Sequence, residues 1–355
     1  MKSKRLVILL GTICMVLMLG VTPLVGACAK PAPAPAPAPT PVPAPAPKPA
    51  APIVLKAISF TPLTSKTDMR SRFEYLIGKI NERAKGELTI QLVGGPEAIP
   101  RGEQPMALKT RVVDMALQDS AFYATLVPAA NLLAFSEFPS AEERESKAYD
   151  FLVAEHKKAN FFYLGRVPHD WKLKVVLLRA YRPKTPYDLA GLRCASFGPN
   201  WAISVADVLR MSFIVVPGPD IYTAFERGMI DAFVFPELGS AAVFKTQETV
   251  KYAIDHSFLR ETAVFLFNLD TWNGLPKHLQ TLIRDAYVEA EPEILRMGEE
   301  DQKLSRKKFL DAGVEFIKFS PADAEWFTNQ IERRETERIG KLYPDIAPMI
   351  EIFKK

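Results

Sequence analysis

Residues 53–93 read IVLKAISFTPLTSKTDMRSRFEYLIGKINERAKGELTIQLV, and this stretch decides the fold class. Its first eight residues, 53–60, are β-rich and apolar, which predicts a strand buried in a sheet. Apolar residues then recur at helical spacing over 66–84, and an alternating strand pattern follows over 87–93. The alternation continues with a predicted helix and strand at 104–112 and 114–117. This order is typical of an α/β fold with a parallel, doubly wound sheet.

A second α/β set follows, and a helical part closes the chain. The second set consists of predicted strands at 172–178, 192–195, 213–216 and 230–235 and predicted helices at 201–209 and 222–227. After it, apolar residues mark one face of a long helix that Pro292 is expected to interrupt, and Ser320 is expected to cap another helix. Two α/β sets suggest two lobes around a cleft, because open α/β sheets bind ligands at the carboxyl ends of their strands.

The composition is that of a globular protein with about two domains. The 355 residues are 48% apolar and 24% charged, close to the globular average. The net charge of +4 includes three positive charges near the N-terminus, so the chain beyond residue 27 carries about +1. Such a body does not indicate a nucleic-acid partner. Three cysteines and four histidines are too few for a disulfide framework or a metal cluster, and Cys194 is expected to be a core thiol.

The N-terminus has the pattern of a lipoprotein export signal. Three basic residues precede an uncharged apolar run at 6–21, and residues 25–28 read VGAC, which resembles the bacterial lipobox. The alternative is a transmembrane anchor, but the run is at the short end of the roughly 17–25 residues that span a bilayer, and no basic stop-transfer cluster follows. We therefore predict removal of residues 1–27 and a lipid on Cys28.

Residues 28–52 form a predicted tether of proline and alanine. Eleven of the thirty prolines lie in this tract, where they alternate with alanine almost strictly. Proline fixes φ and donates no amide hydrogen, so the tract is expected to be extended polyproline II. At about 3.1 Å per residue it would reach roughly 70 Å. A lipid next to such a spacer predicts a body held away from a membrane, outside the cytoplasm.

The sequence carries few enzyme signatures. It contains no G-x-S-x-G, no glycine-rich phosphate loop and no H-E-x-x-H. His169 and Asp170 could form an acid–base pair, but neighbours in sequence rarely face one target. The aromatic residues Trp171, Trp201 and Phe122–Tyr123 could stack on a ligand or belong to the core. The sequence therefore favours a binding protein over an enzyme.

Several strings resemble the solute-binding subunits of TRAP transporters, of the dicarboxylate-receptor type. Residues 222–232 (YTAFERGMIDA) are similar to the family's Y-x-A-L-x-x-G-x-x-D-G/A, and residues 188–193 (DLAGLR) to its D-L-K-G-L-K. Residues 267–276 (FNLDTWNGLP) are similar to V-N-x-x-x-W-x-x-L-P, whereas residues 111–114 keep only the Asp of G-x-x-D, since Arg111 replaces the glycine. These strings occur in family order, and the likeness extends over about 53–350.

The resemblance implies a two-lobed receptor of the periplasmic-binding type, with crossing strands and a long, kinked C-terminal connecting helix. The expected lobes are 53–171 plus 260–298 and 172–259 plus 299–355. Such a receptor closes on a small organic acid and delivers it to a membrane permease, with no catalysis and no cofactor.

The family's arginine clamp, a bidentate contact to a carboxylate, is altered in this chain. The clamp lies two residues beyond the lysine of G-L-K-x-R, and that position is Ala195 here. Arg193 lies on the same face of the predicted strand, so it either replaces the clamp or occupies the family's exposed lysine position. A second basic residue of the family falls near Lys172 or Lys174.

The resemblance also places other residues at the ligand. Asp119, followed by Ser120, matches a position where the family often has an acidic side chain. The remaining expected contacts are Phe197, Asn200, Trp201, Phe235 and Trp171. Because these residues are more apolar than is usual in the family, we expect an aromatic or otherwise hydrophobic acid rather than a sugar acid.

Two other functions compete with a TRAP receptor. A binding lipoprotein of an ATP-driven (ABC-type) importer would have the same tether but should lack the string at 267–276. An envelope enzyme or assembly lipoprotein on the same fold is the alternative of another class.

Overall fold

The computed structural model describes residues 51–62, 66, 68–169, 172, 174–198, 201–260 and 263–355. The predicted signal peptide, Cys28 and nearly all of the tether lie outside these residues, as do Asp170, Trp171 and Asn200.

Strands in the described residues form two sheets. They are β1 (Ile53–Ser59), β2 (Leu88–Gly94), β3 (Met115–Asp119), β4 (Phe161–Arg166), β5 (Val175–Leu178), β6 (Arg193–Ser196), β7 (Ser212–Val215), β8 (Ala232–Phe235), β9 (Tyr252–Ile254), β10 (Ala263–Asn268) and β11 (Glu315–Ile317). The first sheet has the order β2-β1-β3-β10-β4, and the second has the order β11-β9-β5-β8-β6-β7.

Helices lie between these strands. They are α1 (Met69–Ala84), α2 (Gln104–Lys109), α3 (Ser120–Tyr123), α4 (Ser140–Glu143), α5 (Lys147–Lys158), α6 (Ala202–Val208), α7 (Ile221–Glu226), α8 (Leu238–Val243), α9 (Leu269–Gly274), α10 (Lys277–Asp311) and α11 (Pro321–Leu342). The predicted α/β fold class with two sheets is confirmed.

Each sheet combines parallel and antiparallel strands. In the first sheet β1 is parallel to β2 and β3, as predicted, whereas β10 is antiparallel to both β3 and β4. The chain leaves this sheet after β4, builds most of the second sheet, and returns at β10, so β10 is a crossing strand. In the second sheet β6 is parallel to β7 and β8, and β5 is antiparallel to β8 and β9.

The amphipathic pattern of α1 is confirmed, with a later start than predicted. Phe73, Leu76 and Ile80 are buried in the core of the first sheet. The helix begins at Met69 because the Asp68 carboxylate accepts the amide hydrogen of Ser71 at 2.8 Å and caps it.

Helix α10 contributes to the cores of both sheets. Its residues up to Ile294 pack with the first sheet, and Phe309 packs with the second. The prediction that Pro292 interrupts the helix is wrong, because the helix is continuous from Lys277 to Asp311. Proline removes one amide donor, and the turns on either side continue the helix across it. The predicted Ser320 cap of α11 is confirmed, since Ser320 accepts the amide hydrogen of Asp323 at 3.2 Å.

Arg111 explains why α2 ends earlier than the predicted 112. Its φ of 64° lies in the left-handed region, where a side chain is strained and glycine is not. The similar family string has glycine at this position, so the departure noted in the sequence carries a conformational cost.

Arg111→Gly should therefore stabilise the fold. Relief of the left-handed strain, roughly 1–2 kcal/mol, exceeds the entropy cost of glycine, roughly 0.5–1 kcal/mol. We expect the urea midpoint to rise. Thr110→Gly is the matched control, because Thr110 has a φ of −91° and should lose stability on the same substitution. A midpoint for R111G at or below that of the unmodified protein would contradict the strain argument.

Candidate ligand-binding site

A pocket of about 70 Å³ lies where strand ends of the two sheets approach each other. Phe60 follows β1 and Asp119 ends β3 in the first sheet, and Phe197 and Pro236 follow β6 and β8 in the second. These are carboxyl ends of strands, the usual ligand position in open α/β sheets. The volume is several times the roughly 10–15 Å³ that holds one water, so the pocket has room for a small molecule.

Aromatic side chains form much of the pocket wall. Phe60 packs on Phe122 with ring centroids 5.8 Å apart, and Phe197 packs on Phe244 at 5.5 Å. Trp201 adds a further ring and is 5% exposed. These rings offer flat apolar surfaces to a ligand.

Arg101 is a cation in this wall. It lies between β2 and α2, and its Nε donates to the Phe60 carbonyl at 2.8 Å. The guanidinium carbon is 5.8 Å from the Phe197 ring centroid and 5.9 Å from that of Phe244. Burial lowers the pKa of Arg101, but a guanidinium remains charged at neutral pH. Sequence reasoning missed Arg101, because no motif marks it and only the fold brings it to the pocket.

Four carboxyl groups also line the pocket. They belong to Asp68, Asp119, Glu237 and Asp301. Arg72 of α1 lies 3.3 Å from the Asp301 carboxylate, and Gln302 donates to Glu237 at 3.1 Å.

Burial is the main cause of the raised pKa values of two of these carboxyl groups. It raises the pKa of Asp301 to about 7, and repulsion from Glu237 and Asp68 adds to the effect, whereas Arg72 and Lys308 oppose it. Burial also raises the pKa of Glu237. An ion pair with Arg72 alone would lower the pKa of Asp301, so desolvation and the neighbouring acids outweigh the guanidinium.

Three of the residues expected from the sequence do line the pocket: Asp119, Phe197 and Trp201. Asp119 accepts the amide hydrogen of Ala121 at 2.8 Å and so caps α3. Ser120 is buried beside it at the start of α3, outside the pocket lining. Phe235 is buried one layer back, with its ring 5.7 Å from that of Phe197.

The two candidate lysines differ in position. Lys174 is fully buried, donates to the Arg260 carbonyl at 2.6 Å, and lies 4.3 Å from the Trp201 ring centroid. Lys172 is half-exposed and lies 3.8 Å from Glu332. Of these two lysines, Lys174 is therefore the one next to the pocket, behind Trp201.

Arg193 lies outside the pocket lining and is already paired. Its side chain is 49% exposed, and Nε and Nη2 each donate to the Asp231 carboxylate at 2.8 Å. This pair raises the pKa of Arg193 and lowers that of Asp231. Ala195, at the family's clamp position, is buried in the core of the second sheet.

The other residues singled out in the sequence are parts of the core. Cys194 is buried as expected, and burial raises the pKa of its thiol to about 12. Tyr123 is buried and bonds His156 at 3.1 Å, whereas its neighbour Phe122 reaches the pocket. His169 is buried away from the pocket lining, with Nδ1 bonded to the Val167 carbonyl at 2.8 Å.

The part of the chain that the structure describes has neither a cluster of metal-binding side chains nor a membrane-spanning helix. Its His, Cys, Asp and Glu side chains form no group of three or more suited to a metal ion. Among its helices, none is both long and apolar enough to cross a membrane.

The fold and the site are those of a two-lobed solute-binding protein. It has two β-sheets flanked by helices, one helix that packs in both cores, and a pocket at the strand ends. Residues 61–337 match the DctP family, described as bacterial extracellular solute-binding protein, family 7. The chain belongs to this family.

Related proteins extend over most of the chain. The 2,3-diketo-L-gulonate-binding periplasmic protein of Escherichia coli strain K12 is 26% identical over 312 residues, covering 84% of this chain and 92% of that protein. The fold is similar to a TRAP periplasmic solute-binding protein of Rhodoferax ferrireducens with bound malonate, with a TM-score of 0.73 and 15% identity over 84% of this chain and 96% of that one. The fold is also similar to a TRAP periplasmic solute-binding protein of Desulfovibrio salexigens with bound orotic acid. The TM-score is 0.69 and the identity is 19%, over 84% of this chain and 99% of that one.

Asp301→Asn should flatten the pH dependence of thermal stability. Because the pKa of Asp301 is raised in the folded protein, its protonation favours the fold, fully below about pH 4 and progressively less as the pH rises through about 7. We expect the Tm of the unmodified protein to fall between about pH 5 and pH 8. The fall in D301N should be smaller by several degrees, at roughly 2–4 °C per kcal/mol.

The exposed Glu299 of the same helix provides the control for this measurement. Glu299→Gln should keep the slope of the unmodified protein in differential scanning fluorimetry. Equal slopes for D301N and the unmodified protein would show that Asp301 ionises as an ordinary carboxyl group.

Proposed function

We propose that this protein is the lipid-tethered solute receptor of a TRAP-type transporter, and that it captures a small hydrophobic acid, preferably an aromatic one. It delivers this acid to membrane permease subunits. The observation that carries the proposal is the strand-end pocket walled by Phe60, Phe122, Phe197, Trp201 and Phe244.

The related proteins support an acid as the solute. The proteins of similar fold hold malonate and orotic acid, and the Escherichia coli relative is named for a sugar acid. Orotic acid is a flat heteroaromatic acid, so this fold accommodates such a shape. The phenyl rings of the wall offer no partner to the hydroxyl groups of a sugar acid, and unpaired hydroxyls lose affinity when buried. The carboxyl groups of the lining already bond to other groups of the protein, namely Ser71, Ala121, Gln302 and Arg72. We therefore favour an aromatic acid for this chain.

The family assignment also favours a TRAP receptor over the binding lipoprotein of an ABC-type importer. The named relatives are solute-binding proteins, and we propose binding without turnover for this chain as well. Ligand that co-purifies chemically unchanged would support this, whereas a converted product would favour an envelope enzyme.

Lobe closure completes the proposed cycle. The proposed lobes are 53–171 plus 260–298 and 172–259 plus 299–355, and pocket residues such as Phe60 and Phe244 come from opposite lobes. A ligand between them adds contacts to both, so it favours the closed arrangement by its differential affinity.

A thermal-shift and calorimetric panel tests the class of solute. We expect benzoate and other aromatic monoacids to raise the Tm more than aliphatic acids of equal charge, and glucuronate to raise it least. Ligand at 100 times its Kd adds about 2.7 kcal/mol to the stability, which is several degrees in Tm. Binding of sugar acids alone would refute the hydrophobic specificity.

A second experiment tests the tether. Cys28→Ala should abolish labelling with a radioactive fatty acid and move the protein from the membrane fraction to the soluble or unprocessed pool. Cys14→Ala, within the predicted signal peptide, should keep both the label and the membrane association. A C28A variant that still carries the label would rule out Cys28 as the lipidation site.

A further inference from the structure

Arg101 differs from the other cations around the pocket in its partners. In the described residues it makes one hydrogen bond, from Nε to the Phe60 carbonyl, and no carboxylate lies within 4.0 Å of it. Arg72 is paired with Asp301, and Arg193 is held by Asp231 on the surface. Lys174 donates to the Arg260 carbonyl and lies over Trp201.

The surroundings hold the Arg101 guanidinium in place. The bond to Phe60 ties it to the first sheet, and the rings of Phe197 and Phe244 on the second side lie within 6 Å of it. Aromatic faces attract a guanidinium but do not neutralise its charge. A guanidinium has five N–H donors, so four remain after the bond to Phe60, enough for the two parallel bonds that a carboxylate accepts.

The opposite charges on the wall restrict the ligand further. Asp68, Asp119, Glu237 and Asp301 place carboxyl groups around the same small volume. A second negative group on the ligand would lie close to these acids and would find no cation there, because Arg101 is the one basic residue among the described residues of the pocket lining. Partial protonation of Asp301, whose pKa is about 7, weakens the repulsion but supplies no positive charge. The wall therefore tolerates one anionic group, at the position of Arg101.

We propose that Arg101 binds the carboxylate of a planar, monoanionic ligand whose ring lies among the pocket phenylalanines, and that the surrounding acids exclude dicarboxylates. This inference rests on the proposed function as a receptor for a hydrophobic acid. It assigns the anion contact to a loop residue of the first lobe. The contact is made neither at the family's clamp position, Ala195, nor by Arg193.

Isothermal titration with benzoate and its neutral analogue benzamide tests the role of Arg101. We expect the unmodified protein to bind benzoate at least about tenfold more tightly than benzamide. Arg101→Gln should weaken benzoate by roughly 10–100-fold, the range for a hydrogen bond to a charged group, and leave benzamide nearly unchanged. Arg101→Lys keeps the positive charge but lacks the planar pair of N–H donors. Its affinity for benzoate should therefore lie between those of the unmodified protein and R101Q.

A merely structural role for Arg101 predicts a different result, an equal loss for benzoate and benzamide, and would overturn the inference. Arg193→Gln is the matched control and should bind benzoate as the unmodified protein does; a selective loss of benzoate in this variant would assign the contact to Arg193. If R101Q fails to fold, R101K is measured in its place. Unchanged affinity for benzoate, and an unchanged preference for benzoate over benzamide, would show that Arg101 makes no bidentate contact to the carboxylate.

The exclusion of dicarboxylates is tested with terephthalate and its monomethyl ester, which share a shape and differ by one charge. The ester should bind at least tenfold more tightly, and equal binding would overturn the exclusion. Should the unmodified protein bind no aromatic acid, the proposed solute class fails together with this inference. If R101Q binds benzoate as tightly as the unmodified protein, the receptor function stands and only the role of Arg101 as the carboxylate contact is refuted.

Discussion

The buried ion pair between Arg72 and Asp301 joins the parts of the molecule on which the pocket depends. Their side chains are 2% and 9% exposed and 3.3 Å apart. Arg72 belongs to α1 on the first sheet, and Asp301 belongs to the helix that enters both cores. A Cβ at Gly239 would collide with the Asp301 carboxylate, so α8 of the second sheet packs directly on this group. A buried pair of this kind contributes less to stability than to a defined arrangement, because desolvation offsets much of its attraction.

The same pair shows why polar groups can occupy an otherwise apolar pocket. Arg72 lowers the pKa of both Asp301 and Glu237, but burial still holds the pKa of Asp301 near 7 instead of near 4. Part of the negative charge is therefore absent at neutral pH, which lowers the cost of placing these acids beside phenylalanine rings. In the proposed complex the acids select against a second anionic group on the ligand, and the aromatic wall contributes affinity for its flat apolar part.

The sequence predicted the fold well and the site in part, for physical reasons that differ. Helix α1 and the strands β1–β3 and β5–β8 follow local periodicity, which is set by neighbours a few residues apart. The strands β4, β9, β10 and β11 were not predicted, because their pairing partners lie far away in the sequence. Asp119 and Phe197 were expected at the pocket from the family resemblance, and the structure gives the physical reason, since both lie at the carboxyl end of a strand. The partnership of Arg72 with Asp301 spans 229 residues, and no local pattern carries such a distance. Arg101 sits in a loop, where periodicity gives no signal.

Ala195 shows how the loss of one charge can be offset in a nearly neutral body. With a net charge of about +1 beyond residue 27, the whole protein exerts little attraction on an anion, so recognition depends on a single well-placed cation. Arg193 is committed to Asp231, and the bond energy of that bidentate pair would have to be given up before it could bind a ligand. Arg101 needs no such exchange, because its one hydrogen bond within the described residues goes to a carbonyl through Nε and not through the two terminal nitrogens. A cation supplied from the opposite lobe also contacts Phe197 and Phe244 across the pocket, so an anion bound to it lies where the two lobes meet.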